Sequence, residues 1–152
     1  MAAHELEEGE KAPDFELMTH DGRKFRLYEE LKSGPIVLYF YPKDFTPGCT
    51  TEACEFRDRY DTFVKNGYRV FGVSSDPPEV HMRFAEQYRL PFTLLSDTEG
   101  KVRKLFGVKP TFGLFPGRTT FVIKQDGTIA GKFSSQFRPA DHPERISRII
   151  HS

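Results

Sequence analysis

The sequence predicts an α/β fold in which a mixed central β-sheet is flanked by helices and preceded by a short N-terminal β-hairpin. Strand-sized apolar runs alternate with helical segments through the middle of the chain. The run at 35–41 shows no polar alternation, as expected of a strand buried on both faces, and 68–74 reads as a second buried strand on Val70, Phe71 and Val73. Near the end, Asp126-Gly127 joins two further strands in a tight hairpin, which adds an antiparallel pair.

The elements follow in order. Residues 14–18 and 24–27 form the first hairpin, turned at His20-Asp21-Gly22. A buried strand at 35–41 leads to a helix over 50–64, where Ala53, Phe56, Tyr60, Phe63 and Val64 recur at helical spacing. Asn66-Gly67 ends that helix and a second buried strand covers 68–74. Asp76, with Pro77 behind it and Glu79 three residues on, reads as the cap of a helix through Tyr88 whose inner face is Val80, Phe84 and Tyr88. A strand at 92–95, a short helix at 101–106, and strands at 119–124 and 128–133 follow. A last helix, opened by Asp141 and Glu144, buries Ile146, Ile149 and Ile150.

No repeat or Pro/Ser-rich linker divides the 152 residues, so one domain over 1–152 is expected. The 22 basic and 22 acidic residues cancel, which argues against nucleic acid or an anionic membrane as a main partner. Clusters such as Arg57 and Arg59, or Lys101, Arg103 and Lys104, read as solvated faces. The longest apolar run, 36–41, is far too short to cross a bilayer. An acidic start, without the features of a secretory or organelle leader, predicts a soluble cytoplasmic protein.

Chemistry concentrates on the two cysteines, Cys49 and Cys54. Two thiols in an intracellular chain point to redox reactivity more than to a disulfide framework. Five scattered histidines add no ligand-like spacing, so neither a metal nor a cofactor is expected. Tyr41-Pro42-Lys43-Asp44-Phe45-Thr46-Pro47-Gly48-Cys49 leaves the end of a buried strand and enters a helix at Cys49. In α/β sheets, ligands gather at such strand ends. A sulfur in a first helical turn meets unpaired backbone N–H groups and the positive end of the helix dipole, both of which favour thiolate. Ionisation adds at most about 30-fold, because a free thiol is already a few per cent thiolate at pH 7. Most of a fast reaction with peroxide must come from groups that polarise the O–O bond. The backbone N–H of Cys49, the Thr46 hydroxyl and one cation are the candidates.

The spacing of the cysteines has its own consequence. Five residues of ideal helix give about 7.5 Å of rise and about 140° of rotation, so the Cα atoms stand about 8.6 Å apart. A disulfide needs roughly 4.4–6.8 Å. The pair can join only if the first helical turns unwind.

The segment 41–58 resembles the active-site segment of peroxiredoxins, with Pro42, Thr46 and Cys49 on a P-x-x-x-T-x-x-C pattern. Its continuation, Thr50-Thr51-Glu52-Ala53-Cys54-Glu55-Phe56-Arg57-Asp58, is similar to the bacterioferritin comigratory protein (Q-type) branch. The likeness extends through Leu94-Leu95-Ser96-Asp97 and Gly117-Arg118-Thr119-Thr120-Phe121-Val122-Ile123. The resemblance implies a thioredoxin-like fold and a thiol-dependent peroxidase acting on hydrogen peroxide and organic hydroperoxides. By the same resemblance Cys49 is the peroxidatic cysteine and Cys54 the resolving one. Pro42 shields the thiolate, Thr46 hydrogen-bonds sulfur and peroxide, and Arg118 is the activating cation. Substrate is therefore expected at Thr46, Cys49 and Arg118, with thioredoxin or a similar dithiol as reductant and a monomer as the assembly.

Three alternatives bound this reading. Glu52 either orients an arginine or is simply a favourable acid in a first helical turn. Tyr39, Phe45, Phe112 and Phe115 are either core or the apolar rim of a peroxide pocket. The whole chain is either a peroxidase, a peroxide-sensing redox switch, or a thioredoxin-type disulfide oxidoreductase. That last class uses C-x-x-C and a later proline, where this chain has C-x4-C and Arg118-Thr119.

Overall fold

The computed structural model describes residues 4–108, 118–134, 139 and 141–151. The expected hairpin is present as β1 (Glu16–Thr19) and β2 (Lys24–Arg26), antiparallel, with Leu17 opposite Phe25. A single helical turn, α1 (Leu27–Glu30), and a 3₁₀ turn lead into β3 (Ile36–Phe40), buried along its whole length. Then come α2 (Pro47–Asp58), α3 (Tyr60–Lys65), β4 (Arg69–Ser74), α4 (Pro78–Gln87), β5 (Thr93–Ser96) and α5 (Lys101–Leu105). β6 (Thr119–Ile123), β7 (Ile129–Ser134) and α6 (Asp141–His151) close the order.

One seven-stranded sheet joins the strands in the order β2-β1-β5-β4-β3-β6-β7. β3, β4 and β5 are parallel, with Val37 opposite Val70 and Phe71 opposite Thr93. β6 runs antiparallel to β3, β7 to β6, and β1 to β5, so the sheet is mixed as expected. Pleating sends successive residues of β3 to opposite faces. Leu38 and Phe40 join a core with Phe25, Phe71, Phe106 and Phe121. Val37 and Tyr39 join a second core with Cys49, Phe56, Phe84, Leu94 and Ile146, beneath α2, α4 and α6.

Three expectations need correction. The helix placed at 50–64 starts three residues earlier, because Pro47 suits a first helical position, and it breaks at Arg59 (φ −102°, ψ 4°). Phe56 and Phe63 remain buried on either side of the break, their rings 5.7 Å apart. Asp76 caps nothing, since its carboxylate is already engaged by Ser74 Oγ and the Asp44 N–H. With α4 beginning at Pro78, its buried face is His81, Phe84 and Ala85, and Val80 is only half-buried.

Candidate active site

Thr46 stands just before α2 with extended backbone (φ −81°, ψ 151°), and Pro47, Gly48 and Cys49 make the first turn. Cys49 is therefore a first-turn residue with its sulfur at the positive end of a twelve-residue helix. The residue is buried against the sheet, beside Tyr39 and Tyr41 at the carboxyl end of β3.

Arg118 reaches this sulfur from the start of β6, which pairs with β3 and so lies next to the strand that delivers the loop. Its Nη2 donates to Cys49 Sγ at 3.3 Å, and its Nη1 donates to Glu52 Oε1 one helical turn further along. The Arg118–Glu52 contact is inaccessible to solvent on the carboxyl side and nearly so on the guanidinium side. A solvated position for Glu52 is thereby excluded: it faces the arginine. Burial costs the Arg118 charge, yet Glu52 and Cys49 more than offset that cost and raise its pKa above the ordinary arginine value. Burial pushes the Glu52 carboxyl up to about 8, with the Arg118 charge pulling the other way. His142 of α6 lies beyond, its Nδ1 3.6 Å from Glu52 Oε2 and 2.8 Å from Thr120 Oγ1.

Gly48 belongs to the same constellation. A Cβ there would lie 3.4 Å from Arg118 Nη2 and 3.4 Å from Pro139 Cγ, ordinary contact distances, so the guanidinium passes directly over the helix start. The Thr46 hydroxyl donates to the Lys43 carbonyl at 2.8 Å rather than to sulfur, which leaves its lone pairs to accept a hydrogen bond from another O–H. Pro42 is half-buried at the beginning of this loop.

Cys54 lies in the same helix, half-exposed, and both cysteines are free thiols. Tyr39 is core, stacked on Phe56 at 4.5 Å, and its hydroxyl has no hydrogen-bond partner among the described residues. Phe45 is exposed and packs edge-on against Phe84 at 5.1 Å. Phe112 and Phe115 lie outside the described residues, as does Gly117.

Two neighbours escaped the sequence reading. Arg103, grouped there with Lys101 and Lys104 as a solvated face, turns inward and donates to the Tyr41 carbonyl at 2.7 Å. Burial lowers its pKa, against the opposing pull of Asp97 and Cys49. His81, taken as one scattered histidine among five, is fully buried beside Asp44. The spacing of His81 with Phe84 and Ala85 on one helical face was the available signal for the second.

Comparison with known proteins agrees with this geometry. Residues 9–132 match the model of the AhpC/TSA family. Over 148 residues the chain is 44% identical to a Populus jackii protein named peroxiredoxin Q, chloroplastic, covering 97% of this chain and 69% of that one. The crystal structure of peroxidoxin BcpB from Mycobacterium tuberculosis superposes with a TM-score of 0.89 at 39% identity, covering 96% of this chain and 97% of that one. The bacterioferritin comigratory protein of Xanthomonas campestris, described with an alkyl peroxide reduction activity, gives 0.82 at 28% identity over 90% of each chain. The fold is that of the thioredoxin-like peroxiredoxins, and the chain belongs to the AhpC/TSA family, in its peroxiredoxin Q branch.

Proposed function

We propose that this protein is a thiol peroxidase that reduces hydrogen peroxide and organic hydroperoxides with Cys49, resolves the product with Cys54, and is recycled by thioredoxin. The observation that carries the reading is the contact of Arg118 Nη2 with Cys49 Sγ at the head of α2. A fixed cation and first-turn N–H groups converge where negative charge must be held before the reaction and where it develops during it.

The Cys49 thiolate attacks the terminal oxygen of the hydroperoxide. The O–O bond breaks, sulfur becomes sulfenic acid, and the departing alkoxide or hydroxide takes a proton and leaves as alcohol or water. Arg118 and the Cys49 N–H stabilise the charge moving onto the departing oxygen, and the free lone pairs of Thr46 orient the hydroperoxide O–H. Pro42 limits water access from the loop side. The Cys54 thiol then displaces water from the sulfenic acid to form the disulfide, and an external dithiol returns both thiols. Glu52 orients the guanidinium of Arg118.

The remaining parts of the reading are a single domain over 1–152, a monomer, and a cytoplasmic site of action. One continuous sheet supports the first. Two free thiols suit a reducing compartment. No helix among the described residues is long and apolar enough to cross a membrane. Because the curated relatives are named chloroplastic, fractionation of cells expressing the tagged chain tests the location.

Stopped-flow peroxide consumption with thioredoxin and with a small dithiol tests the activity. Sustained turnover with thioredoxin supports it. A single oxidation without turnover favours a redox switch instead, and sluggish thiol loss at stoichiometric peroxide favours a disulfide oxidoreductase.

A further inference from the structure

Asp44 sits in the loop between β3 and α2, five residues before Cys49, and its side chain has no solvent exposure. Its Oδ1 accepts from the Tyr41 hydroxyl at 2.5 Å, and its Oδ2 lies 2.5 Å from Nδ1 of His81 on α4. Its backbone N–H donates to Asp76 Oδ2 at 2.8 Å, an oxygen that also accepts from Ser74 Oγ at 2.6 Å. On the far side, His81 Nε2 lies 3.0 Å from the Leu95 carbonyl.

A carbonyl only accepts, so Nε2 of His81 must carry a proton. A carboxylate oxygen and a bare Nδ1 lone pair repel, so the contact at 2.5 Å needs a second proton between them. The Asp44–His81 pair therefore holds one proton more than a neutral imidazole facing a carboxylate. A cation cannot take its place: ligand atoms around tetrahedral zinc stand roughly 3.3 Å apart, given metal–ligand bonds of about 2.0–2.1 Å.

We propose that His81, acting through Asp44 and this shared proton, is a positioning residue that clamps the loop bearing Thr46 and Cys49. The proposal rests on the peroxidase reading above. Residue 41 is pinned at its carbonyl by Arg103 and at its N–H by the Val73 carbonyl. Residue 44 is pinned at its side chain and its N–H. Only residues 45–48 separate this anchored stretch from Cys49, and Phe45 takes the uncommon positive φ of 65° as the chain turns into the helix. Misplacing reacting groups by about 1 Å costs on the order of 10²-fold in rate. The same anchor lets the first turns of α2 unwind for disulfide formation while 41–44 stay in place to receive them again.

The charged and titratable groups around the pair are known. Tyr39 and Tyr41 face it from the end of β3, Asp76 from the turn after β4, and His20 from the β1–β2 turn. Leu95 on β5 contributes only its carbonyl.

Asp44→Asn tests the clamp. The amide oxygen accepts from Tyr41 and the amide N–H donates to a neutral imidazole, so every hydrogen bond survives with no proton to lose. Asp44→Ala keeps neither bond. Rates of Cys49 oxidation by hydrogen peroxide are read by rapid-quench alkylation and mass spectrometry at neutral pH, with amide exchange of residues 42–48 measured in parallel. The Ala variant should be slowed about 10- to 100-fold with faster exchange in the loop. The Asn variant should stay within about threefold of wild type, with loop exchange unchanged. An Asn variant as slow as Ala, or an Ala variant with wild-type rate and loop exchange, overturns the proposal. If Asp44→Ala does not fold, His81→Ala is read in its place with the same two outcomes. A wild type that consumes no peroxide defeats the peroxidase reading, and loop exchange still reports on the clamp.

Discussion

Cys49 and Cys54 lie in one unbroken helix, Pro47–Asp58, five residues apart, with Cys49 buried and Cys54 half-exposed. Ideal helix geometry holds their Cα atoms about 8.6 Å apart, beyond the roughly 4.4–6.8 Å of a disulfide. Oxidation must therefore melt the first turns of α2 before the sulfurs meet. Amide exchange across residues 49–54 should be slow in reduced protein and at least tenfold faster once the disulfide has formed. Protection unchanged after oxidation, with the disulfide confirmed by mass, sinks the unwinding step.

Removing the second thiol separates attack from recovery. Cys54→Ser should keep the wild-type rate of the first oxidation, because the Arg118 guanidinium donates to Cys49 and Glu52. It should fail to recycle with thioredoxin and pass on to sulfinic acid under excess peroxide. Intact mass after one and after ten equivalents of peroxide distinguishes the two stages. Normal thioredoxin-dependent turnover by this variant shows that another thiol does the resolving.

Arg118 donates one amino group to Cys49 and the other to Glu52, so its charge and its fork shape both matter. Arg118→Ala should slow peroxide attack by about 10²- to 10³-fold, the usual consequence of removing one donor from a charge-stabilising site. Arg118→Lys should recover little of this, since a single ammonium cannot reach both partners in the same geometry. Circular dichroism spectra matching wild type confirm that the loss is chemical. Full recovery by lysine reduces the role of Arg118 to charge alone.

Local pattern made much of this legible in the sequence. The continuous run at β3, the Asp126-Gly127 hairpin and the Pro42-Thr46-Cys49 spacing each depend on neighbours close in the chain. Arg118 was reached through resemblance, because its contact with Cys49 spans 69 positions and is created by the pairing of β6 with β3. His81 left only its spacing with Phe84 and Ala85 as a local trace, and Arg103 left none. One is a polar residue on a mostly apolar helical face, the other the middle member of a basic cluster, and only the packing of α4 and α5 against the strand ends turns them inward. Asp76 shows the converse error. Its spacing to Pro77 and Glu79 fits a helix cap, but the Asp44 N–H claims its carboxylate first.

Glu52 should make stability fall as pH rises. Its carboxyl is raised by burial from 4.5 to about 8, so between those values the folded protein binds a proton that the unfolded chain releases. Stability then falls with each pH unit in that window, and the loss levels off above about pH 8. Urea denaturation of Glu52→Gln against its parent, both carrying Cys49→Ser so that thiol ionisation drops out, isolates the effect. The parent should lose ground to the glutamine variant from about pH 5 to 8. A difference independent of pH refutes the buried proton.

Gly72 in β4 pairs with Tyr39 in β3 and with Leu94 in β5, at the centre of the sheet behind the site. A Cβ at this position would lie 2.7 Å from Tyr39 Cζ and 2.9 Å from Leu94 Cδ2, distances that real contacts do not reach. Tyr39 has no room to withdraw, because it is stacked between Tyr41 and Phe56, with ring centroids 5.2 and 4.5 Å away. Alanine in a strand ordinarily gains over glycine through lost chain entropy. Here overpacking should win, and Gly72→Ala should lower stability by about 1–3 kcal/mol. The urea midpoint should drop with an unchanged slope, the mark of an altered core rather than an altered unfolded state. Because Tyr39 and Cys49 share that core, peroxide oxidation of the variant should also slow. A midpoint equal to or above wild type means the tyrosine ring has another place to go.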